Sequence, residues 1–176
     1  PNVVFPTGAL IENEDLIIYY GAADTTVCRA KVNISDLLND LLPQSQGVPI
    51  FKAKNLVPKE RFRGNPIISP KNEHSWENRF TFNPGAIYVN NKVHLLYRAQ
   101  GTDFVSVLGY ASLRDGYEIE ERSEEPVYIP REEFEKNRSG GNSGCEDPRM
   151  VLIGETIYMC YTAFNGVDNP RVALTS

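Results

Sequence analysis

The sequence has few cysteines and few histidines, and this shortage excludes two classes of protein. Its three cysteines, Cys28, Cys145 and Cys160, follow neither a paired metal-ligand spacing nor the dense pattern of a disulfide-rich secreted domain. With two histidines in the whole chain, the sequence predicts no metal site. We therefore expect reduced thiols and a cytoplasmic protein.

Long apolar runs and concentrated basic charge are also absent. The apolar stretches have the length of strands, and no basic region followed by an apolar stretch stands near the first residue, so we expect no membrane span or signal peptide. The 18 basic residues are scattered among 23 acidic ones and leave a net charge of -5, which argues against a nucleic-acid surface. This composition favours a neutral or mildly anionic small molecule as the partner.

What the sequence does contain is one pattern that occurs three times. Each copy has two short apolar strands joined by a tight turn, and in each a tyrosine stands at the same position and is followed two residues later by alanine. The three tyrosines are Tyr20, Tyr97 and Tyr161. A third strand is predicted in every copy, at 26–32, 107–113 and 171–175, and the second copy also shows a fourth, at 117–129.

Four antiparallel strands per repeat form the blade of a β-propeller, in which neighbouring blades cover each other's faces around a central channel. We therefore predict an all-β propeller with about three blades. The hairpins of a β-sandwich are the alternative, and the equal spacing of the copies argues against it. A short helix is predicted at 34–42 between the first and second blades, with Ser35 as its cap. The polar, turn-rich stretch 43–58 has the composition of a linker.

Polar residues stand at matching ends of the innermost strands, where the blades of a propeller converge. Four of them form the candidate site: Asp24, Asn83, Arg98 and Asp147. Two carboxylates, a fixed cation and an amide suit a polyhydroxylated ligand such as a sugar. A turn-stabilising role for Asp147 and a strand-end salt bridge for Arg98 are equally compatible with the sequence.

Glu146 and Asp147 are adjacent acids, and a carboxyl group held protonated in a dry site could donate its proton to a leaving-group oxygen. Paired acids are also common in turns. Glycosidases normally use two carboxyl groups that flank the scissile bond. Asp24 is the only obvious partner that another blade supplies.

Two motifs and five shorter segments carry a resemblance to a known family. The motifs are Glu146-Asp147-Pro148-Arg149 and Tyr20-Gly21-Ala22-Ala23-Asp24-Thr25. The segments are Phe5-Pro6-Thr7-Gly8, Gly64-Asn65-Pro66-Ile67-Ile68, Asn83-Pro84-Gly85-Ala86, Leu96-Tyr97-Arg98-Ala99 and Gly109-Tyr110-Ala111. With this combination, which extends over nearly the whole chain, the sequence resembles glycoside hydrolase family 130, the β-mannoside phosphorylases.

The resemblance implies a five-bladed propeller that cleaves β-1,4-mannosides with inorganic phosphate, inverts the anomeric carbon and releases α-mannose 1-phosphate. It makes Asp147 the general acid, acting through the mannose 3-hydroxyl, and makes Asn83, Arg98 and Asp24 the residues that hold the mannosyl unit. No cofactor is implied, because phosphate is a co-substrate and already an anionic nucleophile that needs no catalytic base. The alternatives are a β-mannoside hydrolase and a non-catalytic carbohydrate-binding or structural propeller fragment.

The order of the segments departs from that of the family. Residues 1–42 resemble its C-terminal blade and closing helix, 43–58 form the linker, and 59–176 resemble two of its N-terminal blades. About two blades, with the family's main phosphate-binding positions, have no counterpart in the sequence. Because open blade edges invite pairing with another chain, we expect a homo-oligomer or a second chain that completes the propeller.

Overall fold

The computed structural model describes residues 4–41 and 60–176, and most of these residues lie in β-strands. The elements are β1 (Val4–Glu12), β2 (Asp15–Ala22), β3 (Thr26–Asn33), α1 (Ile34–Leu41), β4 (Glu60–Arg61), β5 (Phe80–Val89), β6 (Lys92–Gln100), β7 (Val105–Arg114), β8 (Glu118–Arg122), β9 (Ser143–Ile153), β10 (Thr156–Phe164) and β11 (Arg171–Thr175). The predicted all-β class is confirmed. The linker predicted at 43–58 lies outside the described residues.

The strands form three antiparallel units that follow the chain. The first unit is β1 to β4, the second is β5 to β8, and the third is β9 to β11. A short parallel contact, in which Val105 faces Ser143 and Ser106 faces Gly144, joins β7 to β9 and merges the second and third units into one sheet. Each unit therefore corresponds to one copy of the repeated sequence pattern.

The fourth strands differ from those that the sequence predicted. In the first unit β4 pairs with Ala30 and Lys31 of β3, although the prediction grouped residue 59 and those after it with the later blades. In the second unit β8 ends at Arg122, Ser123 still bonds to Tyr110 of β7, and a bridge between Tyr128 and Leu108 follows. The predicted strand 117–129 is interrupted because Pro126 has no N–H to donate to a ladder. The division of the chain at 42 and 59 stays a prediction.

Helix α1 begins directly after β3, and its cap is Asn33 rather than the predicted Ser35. The Asn33 Oδ1 accepts hydrogen bonds from the backbone N–H groups of Ser35, at 3.0 Å, and Asp36, at 3.2 Å. Because the first helical residue is Ile34, the capping position falls on residue 33. The amide of Asn33 thus satisfies two N–H groups that have no partner within the helix.

Two apolar clusters hold the units face to face. The first contains Ile17, Tyr19 and Val27 of the first unit with Val93, Leu95, Tyr97 and Ala99 of the second. The second contains Leu108 of the second unit with Cys145, Met159, Tyr161 and Ala163 of the third. Each interface buries one face of one sheet against the next, as the packing of consecutive blades requires.

A buried ionic cluster fixes the segment before β5 to the second unit. Glu77 is fully buried and contacts His74 Nδ1 at 2.7 Å and Arg122 Nη2 at 2.7 Å. The hydroxyl of Tyr97 donates to the same carboxylate at 2.9 Å. His94 also makes a structural side-chain contact, because its Nδ1 pairs with the hydroxyl of Tyr110 at 2.8 Å.

Candidate active site

The inner strand of each unit carries a β-bulge at the same place in the repeat. The pairing register shifts between Pro6 and Gly8 in β1, between Phe82 and Gly85 in β5, and between Glu146 and Arg149 in β9. A bulge leaves a residue outside the ladder and turns its side chain in a new direction. Asn83, with φ of 46°, and Asp147, with φ of 52°, occupy the second and third bulges in left-handed backbone. Such strained residues are concentrated at functional sites.

The bulges bring Asn83 and Asp147 into direct contact across two units. Asn83 Nδ2 donates to Asp147 Oδ1 at 2.9 Å, and Arg98 Nη1 reaches the same oxygen at 3.3 Å. Three of the four residues predicted from the sequence therefore lie together. The side chain of Asp147 is 26% exposed, and its Oδ2 has no partner among the described residues. That second oxygen is free to meet a ligand.

The fourth predicted residue, Asp24, stands in a turn and not within a strand. It is exposed and left-handed, with φ of 50°, in the turn between β2 and β3. The carbonyl of its neighbour Thr25 accepts a hydrogen bond from the N–H of Thr81 at 3.0 Å, which places the turn beside the start of β5. Within 4–41 and 60–176, however, no hydrogen bond or ion pair joins Asp24 to the other candidate residues.

Glu146 is the main partner of Arg98. Arg98 Nη2 donates to Glu146 Oε1 at 2.6 Å, and the two side chains are only 13% and 14% exposed. Burial raises the pKa of Glu146, and the charge of Asp147 adds to this effect, whereas Arg98 and the hydroxyl of Ser106 oppose it. A carboxylate held so closely by a guanidinium acts as a counterion and not as a free base.

Ser106 and Gln100 complete the support of Arg98, and sequence reasoning missed both. The Ser106 Oγ accepts from Arg98 Nε and from Gln100 Nε2, each at 2.9 Å, and is 3.4 Å from Glu146 Oε1. Because both lone pairs of this hydroxyl are used, its proton points at Glu146. The ring of Phe82 lies 4.7 Å from the guanidinium carbon. The sequence signal for Gln100 was the alternation of the polar residues 98 and 100 at the end of β6.

The site lies where the inner strands of the second and third units meet. Clefts of about 380 Å³ and 340 Å³ are lined by other residues, near β11 and between the β1–β2 and β5–β6 hairpins. In the ranges that the structure describes, no group of three or more His, Cys, Asp and Glu side chains could hold a metal ion. No helix in these ranges has the length and apolar character to cross a membrane.

Comparison with known proteins assigns the family. A family model described as β-1,4-mannooligosaccharide phosphorylase matches residues 1–42 and 54–175. The chain belongs to glycoside hydrolase family 130. A curated relative, the β-1,2-mannobiose phosphorylase of Thermoanaerobacter sp. (strain X514), is 39% identical over 124 residues, which are 61% of this chain and 38% of the relative. This family 130 chain thus spans about two fifths of the length of the curated relatives that it matches.

Two solved structures place the fold. One is 34% identical in sequence to this chain. It is described with the finding that the GH130 family of mannoside phosphorylases contains glycoside hydrolases that target β-1,2-mannosidic linkages in Candida mannan. It has a TM-score of 0.57 over 68% of this chain and 40% of that chain. A thermostable family-43 glycoside hydrolase is only 14% identical but has a TM-score of 0.62 over 98% of this chain and 48% of its own. This second likeness is one of fold alone, and with it the predicted β-propeller class is confirmed.

Proposed function

We propose that this chain forms part of a glycoside phosphorylase that cleaves β-mannosides with inorganic phosphate. The observation that carries the proposal is the carboxylate of Asp147, oriented through one oxygen by Asn83 and Arg98 while its other oxygen is free. A positioned carboxylic acid of this kind can protonate a leaving oxygen, directly or through a sugar hydroxyl. Asp147 is accordingly the proposed general acid, and Asn83 and Arg98 the proposed sugar ligands.

The positions of the other acids support phosphorolysis. An inverting hydrolase needs a second carboxylate, placed to activate water on the far side of the sugar. Glu146 is engaged by Arg98, and Asp24 stands in an exposed turn where, among the described residues, no hydrogen bond or ion pair joins it to the site. Phosphate is already an anion and requires no such base, so inorganic phosphate is the proposed co-substrate and no cofactor is invoked.

The linkage is proposed from the relatives. The two curated phosphorylases are named for β-1,2-linked mannosides, whereas the family model is named for β-1,4-linked ones. β-1,2-Mannobiose is therefore the first substrate to test, and the β-1,4-mannoside expected from the sequence is the second.

The product distinguishes the candidate activities. The chain, alone and together with any partner chain, is incubated with either mannoside in the presence and absence of phosphate, and the products are followed by phosphorus and proton NMR. Phosphate-dependent release of α-mannose 1-phosphate is expected. Phosphate-independent release of mannose would instead show a hydrolase, and mannoside binding without turnover would show a non-catalytic binding module.

Asp147→Asn tests the proposed acid. Asparagine also tolerates left-handed backbone, so the bulge should persist while phosphorolysis falls by about 100- to 10,000-fold, the usual contribution of general acid catalysis. The matched control is Asp115→Asn, since Asp115 also has a φ of 52° but lies in the turn between β7 and β8. Undiminished turnover by the Asp147 variant would disprove the assignment.

A further inference from the structure

A cleft of about 340 Å³ lies between the first and second units, at the ends of their inner strands. We name it the hairpin cleft, because the β1–β2 and β5–β6 hairpins form its walls. Of the residues that line it, Ile17 and Val93 are buried members of the apolar cluster that joins the two units. The volume falls in the range of about 300–1,000 Å³ that is usual for small-molecule sites. Packing of two described units thus leaves a space of the size of a ligand.

The hairpin cleft and the candidate active site lie at opposite ends of β5. Asn83 stands near the start of this strand and Tyr88 near its end, so about 15 Å of strand separates them. None of the residues that line the cleft belongs to the candidate active site. A ligand in the cleft would therefore not compete with one that contacts Asp147.

Arg29 brings a guanidinium group without an acidic partner to the hairpin cleft. Its Nε is buried and has no hydrogen-bond partner, and among the described residues its guanidinium makes no ion pair. The ring of Tyr117 lies 5.7 Å from its Cζ and supports it. The hydroxyl of Tyr19, which also lines the cleft, is held by the carbonyl oxygen of Gly116 at 2.6 Å. Because a buried donor without a partner is destabilising, a ligand oxygen beside Arg29 would be bound favourably.

The wall that the second unit supplies offers an aromatic ring and an amide. The hydroxyl of Tyr88 donates to Asn91 Oδ1 at 2.8 Å, and this bond orients the ring, which is 57% exposed. Asn91 Nδ2 has no partner in the part of the chain that the structure describes, so it can donate to a ligand. A fixed aromatic ring can pack against the C–H face of a sugar ring, and the amide can bind the hydroxyl groups at its edge.

The charges that line the hairpin cleft narrow the class of ligand. Two acidic and two basic side chains line it, so no sign of charge dominates, and neither a phosphate-like anion nor a cation is favoured. Hydroxyl groups both donate and accept hydrogen bonds, and therefore match a lining of carboxylates, amides and guanidinium. We propose that the hairpin cleft is a second carbohydrate-binding site, which takes a neutral oligosaccharide. This inference does not rest on the proposed function of the candidate active site.

NMR that resolves single residues tests the second site with β-1,4-mannotriose as the probe. The isotope-labelled chain, alone and together with any partner chain, is titrated with the probe. The amide signals of Asn91 and Gly116 report on the hairpin cleft, and those of Asn83 and Asp147 report on the candidate active site. The cleft signals should shift with a saturable dependence of their own. Shifts at the cleft alone would count against the proposed function and still support this inference.

Two variants and a matched control locate the binding. Tyr88→Ala removes the ring and should weaken binding at the cleft about tenfold. Asn91→Gly removes the amide but keeps the left-handed backbone, with φ of 62°, and should weaken it about fivefold. Asn90→Gly is the control, because Asn90 has a φ of 51° in the same turn but does not line the cleft.

Three results would overturn the proposal. The first is the absence of shifts at the cleft with about 20 mM mannotriose, a concentration that saturates a millimolar site. The second is equal affinity of the Tyr88, Asn91 and Asn90 variants for the probe. The third is tighter binding of inorganic phosphate than of mannotriose at the cleft, which would identify an anion site instead.

Discussion

Gly144 stands where the second and third units meet, and replacing it by alanine tests whether that contact is as tight as the structure shows. Its φ is 109°, and an added Cβ would lie 2.2 Å from the carbonyl oxygen and 2.7 Å from the nitrogen of Ser106. A carbon and an oxygen atom that are not bonded cannot approach so closely without steric overlap. The two strands would have to separate by about 1 Å to relieve it. Backbone strain of about 1–3 kcal/mol and the loss of a hydrogen bond worth about 1 kcal/mol give an expected destabilisation of about 3 kcal/mol.

Gly140→Ala is the matched control. Gly140 also has left-handed backbone, with φ of 76°, but no atom lies within 4 Å of its added Cβ. Only the backbone preference is lost there, at a cost of about 1–2 kcal/mol. Urea unfolding followed by circular dichroism measures both variants. If the two lose the same free energy of unfolding to within about 0.5 kcal/mol, the close contact between β7 and β9 is refuted.

Three further predictions concern charged groups. Glu77→Gln should lower the free energy of unfolding by about 3 kcal/mol or more, because it leaves a buried guanidinium without its carboxylate. Glu133→Gln, at an 85% exposed position, is the control and should change the free energy of unfolding little. Equal losses of this free energy for the two variants in urea titrations would contradict the stabilising role of the buried Glu77 cluster. The hydrogen bond that the His74 imidazolium donates to Glu77 raises the pKa of His74 in the folded state, so its stabilising effect is complete below pH of about 6.5 and is lost as the pH rises through the folded pKa. The stability difference between wild type and His74→Gln should therefore shrink from pH of about 6 to about 9, and a constant difference would refute this. Glu146→Gln removes the closest counterion of the site arginine and should lower kcat/KM about 100-fold by misplacing it. Because burial raises the pKa of Glu146, the wild type should also lose activity on acidification in a step that the variant lacks, and identical pH profiles would count against this role.

The repeat made much of the candidate site accessible from the sequence. Matching positions of equivalent strands must come together when the units pack, so the meeting of Asn83, Arg98 and Asp147 could be predicted from register alone. The same argument placed Asp24 with them, and this part stays a prediction, because the residue lies beyond the end of β2 in an exposed turn. Register fixes positions within a strand but not the direction of a turn that follows it.

Other features could not be read from the sequence because they join residues that are distant along the chain. The β4 strand, which completes the first unit, follows a long segment without a repeat signal. The role of Ser106 depends on three neighbours from β6 and β9. Single-residue signals for these contacts are weak, since a serine or a two-residue strand is compatible with many environments.

By itself the sequence determined the first three strands of each repeat and their hairpin turns, because alternation and turn residues act through near neighbours. It also determined which polar residues stand at the ends of the inner strands. Only the tertiary structure decided that Arg98 pairs most closely with Glu146, leaving one oxygen of Asp147 free, and that Arg29 and Tyr88 line one cleft between two units. The reason is physical: charge pairing and burial are set by distances between packed units, and those distances exist only when the chain has folded.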